Sequence, residues 1–235
     1  MIPYRDSIPC LHRPWATWGL IIVNALIFLL LSTQPEAVER VVFQLYGLIP
    51  ARYGAYFGYP EWAQWAGYSS ADFTPFFTSI FLHGSWWHVI GNMWLLWIFG
   101  DNIEDRMGPL RFLCFYLLCG LVAGLLQVIA NPFSTIPAVG ASGAIAGVMG
   151  AYFFLYPFAR VVMWVFFLPL FVEIPAIAFL GAWVIFQLYK VTSGLGASEH
   201  YADVAWWGHL GGFIAGMLIH RLFMFGNAGM QTETK

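Results

Sequence analysis

Gly140-Ala141-Ser142-Gly143-Ala144-Ile145-Ala146-Gly147 begins as a tight small-residue turn and runs on through Met149-Gly150-Ala151-Tyr152 as an apolar segment to about Phe158. Glycines flanking a serine let the backbone bend sharply and let a reactant approach the hydroxyl closely. If Ser142 opens a helix, its Oγ lies beside unpaired backbone N–H groups at the positive end of the helix dipole, where an oxyanion can be held. The plainer alternative is packing, since Gly143, Gly147 and Ala151 recur every four residues as in membrane helix contacts. Taken alone, the stretch favours packing. The rest of the chain shifts the balance.

The solvent for this chain is a lipid bilayer. Of its 235 residues 60% are hydrophobic and only 9% charged, with a mean hydropathy of +0.71; a soluble domain carries about 25% charged residues. A net charge of −2 and the lack of a basic stripe exclude a nucleic-acid partner. Cys10, Cys114 and Cys119 are an odd set, with two in one apolar run, and signal neither a disulfide framework nor a thiolate metal site. Twelve tryptophans suit interfacial belts.

Outward from Ser142, apolar runs recur in both directions. Trp15 to Leu31 is a retained first span of the ~20 residues a crossing helix needs. Residues 32–85 are too polar to span and too aromatic for a floppy linker, and read as a long loop packed on the membrane surface. Trp86 to Phe99 is a short second span, followed by a charged turn, Asp101 to Arg106, closed by Gly108-Pro109. Phe112 to Ala130, broken only by Gln127, is the third. The uncharged loop 131–139 is able to dip into the bilayer if protein shields its backbone. Ser142 to Phe158, ~25 Å of helix against a ~30 Å hydrocarbon core, is the fourth and starts below the membrane surface. Residues 161–172 read as an interfacial piece, 173–189 as the fifth span and 204–225 as the sixth. The fold expected is an all-α polytopic six-helix bundle: a lead at 1–14, a membrane domain at 15–225 and a tail at 226–235.

Six spans put both termini on one side. With that side cytoplasmic, Arg5, Arg13, Arg106, Arg111, Arg160, Arg221 and Lys235 lie inside, and Arg40, Arg52 and Lys190 outside. The positive-inside rule supports this orientation in the cell (inner) membrane, with Ser142 toward the extracytoplasmic face.

Polar residues inside spans are costly and are functional candidates by default. His209, about six residues into the last span, has the depth of Ser142 and lies on the same side. Gly208, Gly212 and Gly216 offer a ridge to match Gly143, Gly147 and Ala151. Packed together, the two ridges bring hydroxyl and imidazole into hydrogen-bond reach, a nucleophile with its general base. His88 and Asn92 share a helix face at the same end of their span and can hold a tetrahedral oxyanion. Asp203 is the carboxylate nearest His209 in sequence, which favours a dyad over a triad. Two other readings stay open: a structural, hydrogen-bonded role for each intramembrane histidine, and a metal site gathered from His83, His88 and His209.

Three blocks in order, His83-Gly84-Ser85-Trp86-Trp87-His88-Val89-Ile90-Gly91-Asn92, Gly140-Ala141-Ser142-Gly143 and Gly208-His209-Leu210-Gly211-Gly212, resemble the signature blocks of the rhomboid intramembrane serine proteases over about residues 15–225. The resemblance implies Ser142 as nucleophile and His209 as base and acid, with His88, Asn92 and the Ser142 N–H as oxyanion hole. It implies structural roles for His83, Gly140, Gly143 and Glu104, no metal or cofactor, and single-pass transmembrane proteins as substrates; a non-catalytic relative that binds transmembrane helices is the alternative. Two positions depart from the pattern. Glu61 to Trp65 carries no arginine after either tryptophan, and Ala146 stands where relatives have a ring stacked on the imidazole, so Trp206 or Trp207 is expected to hold it.

Overall fold

The computed structural model describes residues 2–58, 72–165, 170–194 and 205–224. It is mostly helical. Among the described residues the helices are α1 (Trp15–Ser32), α2 (Glu36–Tyr46), a single turn α3 (Pro75–Thr78), α4 (Trp86–Met107), α5 (Pro109–Ala130), α6 (Ser142–Leu155), α7 (Ala176–Gly194) and α8 (Trp206–Phe223). By length and composition α1, α5 and residues 176–193 are apolar enough to cross a membrane; α6 is apolar but shorter. Two expectations fall outside the described residues: the departure at Glu61 to Trp65, and Asp203. The tail at 226–235 does so too.

The centre of the bundle is α6, buried without a break from Ala144 to Tyr152. It packs chiefly on α8 and α5, and α4 crosses it. Glycine makes these approaches possible. A Cβ built at Gly212 would strike the Gly143 carbonyl and one at Gly216 the Gly147 carbonyl, both backbone atoms of α6. On its other side, a Cβ at Gly143 would lie 2.6 Å from the Ala123 Cβ of α5. The expected ridge pairing of the two helices is present, with the carbonyls of Gly143 and Gly147 facing α8 and their Cα atoms facing α5.

Two local expectations are corrected. Asp101 to Arg106 is not a turn: α4 continues through it to Met107 and stops at Gly108, whose φ of 77° suits glycine. Acidic residues oppose the dipole at a helix C-terminus, but here they serve another helix. Glu104, 2% exposed, accepts from the Ala16 N–H at 2.9 Å and from the Thr17 N–H and Oγ1 at 2.8 Å each. It thereby caps α1, whose own N-cap, Pro14, supplies no side chain. Glu104→Ala is expected to cost about 2–3 kcal/mol by leaving these donors unpaired, read as a lower melting temperature in detergent.

The second correction is a sheet. The sequence reading has 161–172 as an interfacial piece of an all-α fold, whereas β2 (Arg160–Val165) and β3 (Leu170–Pro175) are strands that pair antiparallel. The lead supplies a third strand, β1 (Ile2–Asp6), antiparallel to β2 with Ile2 opposite Trp164. The three valines and Trp164 in the run 160–165 favour a pleated surface once a partner strand exists. Asp6 locks β1 to the bundle, accepting from Asn102 Nδ2 at 2.8 Å and from the Tyr152 hydroxyl. The uncharged loop 131–139 has its backbone paired with protein. Leu48 and Ala138 exchange N–H···O bonds of 3.0 and 2.8 Å, and the Ala51 N–H donates to the Ser134 carbonyl at 2.9 Å.

Candidate active site

Ser142 is the first residue of α6, and no side chain caps the orphan N–H groups of that helix end. His209 stands one turn into α8, across the glycine contact. Its Nε2 lies 2.7 Å from Ser142 Oγ. For the hydroxyl to donate to Nε2, the imidazole proton must sit on Nδ1, which lies 2.8 Å from Gln187 Oε1 on α7. The same ring is flanked by Trp206 edge-on and by Trp183 of α7, each with centroids 5.9 Å away. Trp206 thus stands where the sequence reading placed it, whereas Trp183 and Gln187 were missed. The signal for Gln187 was a lone amide in the apolar run from Ala176 to Leu188.

α4 is capped by Ser85, whose Oγ accepts from the His88 N–H at 3.2 Å. His88 and Asn92 follow on one face, with Asn92 6% exposed. Gly140, two residues before the serine, rests against both. Its φ is 128°, and a Cβ there would lie 2.6 Å from His88 Nε2 and 3.5 Å from Asn92 Nδ2. Glycine is required twice over, by conformation and by space. The contact places the oxyanion candidates of α4 directly against the turn that leads into Ser142.

His83 is 1% exposed, and its Nε2 lies 3.0 Å from Asn92 Nδ2. Burial, and then the neighbouring His88, push its pKa down to about 3. The ring is therefore neutral and able to accept from the amide. His83 thus holds the Asn92 amide, and one N–H of that amide is left for the cavity. Gln127 of α5, the amide that interrupts the third apolar run, accepts from the Gly208 N–H at 3.2 Å and so satisfies the start of α8.

Ser142, His209, His88 and Asn92 all line one cavity of about 670 Å³, together with Ser85 and Trp206. Among the described residues no group of three or more His, Cys, Asp or Glu converges as metal ligands. His83 and His88 meet edge to face at 5.0 Å, while His209 is turned to the serine. A hydroxyl bonded to a neutral imidazole, opposite side-chain N–H donors, suits nucleophilic attack on a carbonyl.

Residues 70–225 match the family model described as the Rhomboid domain. The chain is 30% identical over 144 residues to rhomboid protein 1, mitochondrial, of Saccharomyces cerevisiae, covering 60% of this chain and 39% of that protein. It is 27% identical over 155 residues to the human presenilin-associated rhomboid-like protein, mitochondrial, covering 65% and 35%. It is 33% identical over 92 residues to rhomboid-like protein 11, chloroplastic, of Arabidopsis thaliana, covering 39% and 29%. The match spans roughly a third of the length of these relatives. With a family model covering most of its length, from before α3 to the end of α8, the chain belongs to the rhomboid family.

Proposed function

We propose that this protein is an intramembrane serine endopeptidase that cleaves single-pass membrane proteins near the extracytoplasmic end of their transmembrane segment. The observation that carries the reading is the 2.7 Å contact between Ser142 Oγ and His209 Nε2. Ser142 Oγ attacks the peptide carbonyl while His209 Nε2 takes its proton. The oxyanion is held by the Ser142 N–H, His88 and Asn92. His209 then hands the proton to the leaving amine, and water, deprotonated by the same imidazole, releases the acyl group and restores the serine. No metal or cofactor takes part.

The six spans of this reading are α1, α4, α5, α6, α7 and α8, with both termini cytoplasmic and the lead and tail flanking the membrane domain. α6 has 14 residues, about 21 Å of helix against a ~30 Å core, which supports a serine below the extracytoplasmic surface. A helical substrate hides its carbonyls, so the cleaved segment should be rich in small or helix-breaking residues.

Protein in liposomes, mixed with a fluorogenic transmembrane-segment substrate, should yield two fragments whose masses add up to substrate plus water. A substrate that binds but stays intact would contradict the protease reading and favour a non-catalytic protein that holds transmembrane helices. The oxyanion assignment is tested in the same assay. Removing one preorganised donor costs ~10²–10³ in turnover, so Asn92→Ala should keep weak activity, with a modestly lower melting temperature because the buried His83 loses its partner. Full turnover would remove α4 from the active site.

A further inference from the structure

We infer that Gln187 is a positioning residue for catalysis, fixing the tautomer and orientation of His209. The inference deepens the protease reading and rests on Ser142 and His209 as nucleophile and base. Gln187 belongs to a buried stripe of α7 with Ala176, Leu180 and Val191, all apolar, and is itself 3% exposed. An amide in such a place is costly unless it is bonded. Its Oε1 faces His209 Nδ1 at 2.8 Å while the opposite ring nitrogen faces Ser142 Oγ at 2.7 Å. An amide oxygen only accepts, so it selects the imidazole with hydrogen on Nδ1 and leaves the Nε2 lone pair to the serine. Trp183, one turn earlier on the same face, packs on the ring.

The three groups form a relay of orientation, from Gln187 Oε1 to the Nδ1–H and from Nε2 to the Ser142 hydroxyl. A neutral amide orients the ring without adding a charge to stabilise the imidazolium that forms. This distinguishes it from the carboxylate of a serine-protease triad, where spoiling the tautomer costs ~10⁴ in kcat. Among the described residues the titratable group facing His209 across the cavity is His88 on α4.

The test uses the full-length protein in liposomes, with Gln187→Met, similar in size but without the acceptor, and Gln187→Glu, which keeps an acceptor and adds charge. Wild-type protein must first cleave; if it does not, the protease reading itself has failed. Given cleavage, Gln187→Met should lower kcat about 10²-fold with KM within twofold. Gln187→Glu should recover most of that loss and move the acidic limb of kcat/KM upward by roughly one pH unit or more, because a carboxylate favours the imidazolium. Wild-type kcat in Gln187→Met would overturn the inference. So would a loss in both variants that follows melting temperature while the acidic limb stays in place, since that is what a structural amide would give.

Discussion

Ser142→Ala is expected to abolish peptide cleavage while leaving the fold intact. Among the described residues the hydroxyl is hydrogen-bonded to His209, and removing it from the end of α6 opens no space in the core. Its removal takes away the attacking atom, so no acyl-enzyme forms. His209→Ala should be nearly as severe, because the serine hydroxyl then has no base. In serine proteases such losses run to about 10⁶ in kcat and are not additive. The double variant should therefore be no worse than either single one. Turnover and melting temperature measured on all three variants check the expectation. Residual turnover above about one part in 10³ in Ser142→Ala would mean that another group attacks the substrate.

Gly212→Ala should also lower turnover, by a different route and to a smaller extent. The added methyl points at the Gly143 carbonyl, a backbone atom that no side-chain rotation can move aside. α6 and α8 must then part, and these two helices carry the serine and the histidine. Overpacking of this kind costs about 1–3 kcal/mol, and a 1 Å misplacement of catalytic groups costs about 10²-fold. The expected result is a lower melting temperature together with at least that loss of turnover. Gly19→Ala is the control, since a Cβ on that residue of α1 meets nothing within 4 Å. It should change neither quantity. Unchanged turnover in Gly212→Ala would show that the ridge contact does not set the geometry of the dyad.

What the sequence revealed, and what it hid, follows from the range of the interactions. The apolar runs of α1, α5 and α6 are local signals, as is the four-residue glycine period. The two ridges together were enough to anticipate that Ser142 and His209 meet. The sheet was hidden because β1 pairs with β2 across more than 150 residues, and Ile2 to Asp6 looks like a polar lead until its partner is known. The charged run after Phe99 looked like a turn because the partners of Glu104 and Asp105 lie far away in the sequence. Asp105 is met by the Leu11 and His12 N–H groups, and Glu104 reaches back 87 and 88 residues to Thr17 and Ala16. Gln187 and Trp183 escaped for a third reason. Their roles depend on how α7 is rotated about its own axis, and an almost wholly apolar helix carries little amphipathic pattern to reveal it. The bond between His83 and Asn92 was not legible, because it depends on how the loop before α4 folds back over the helix.

The central claim is that Ser142 is a nucleophile activated by His209, and covalent labelling tests it most directly. The protein is treated with a serine-directed fluorophosphonate, digested and mapped by mass spectrometry. The account predicts one adduct, on Ser142, whose formation parallels the loss of proteolysis and is absent from His209→Ala. An adduct confined to another residue, or cleavage that persists once Ser142 is fully modified, would contradict it.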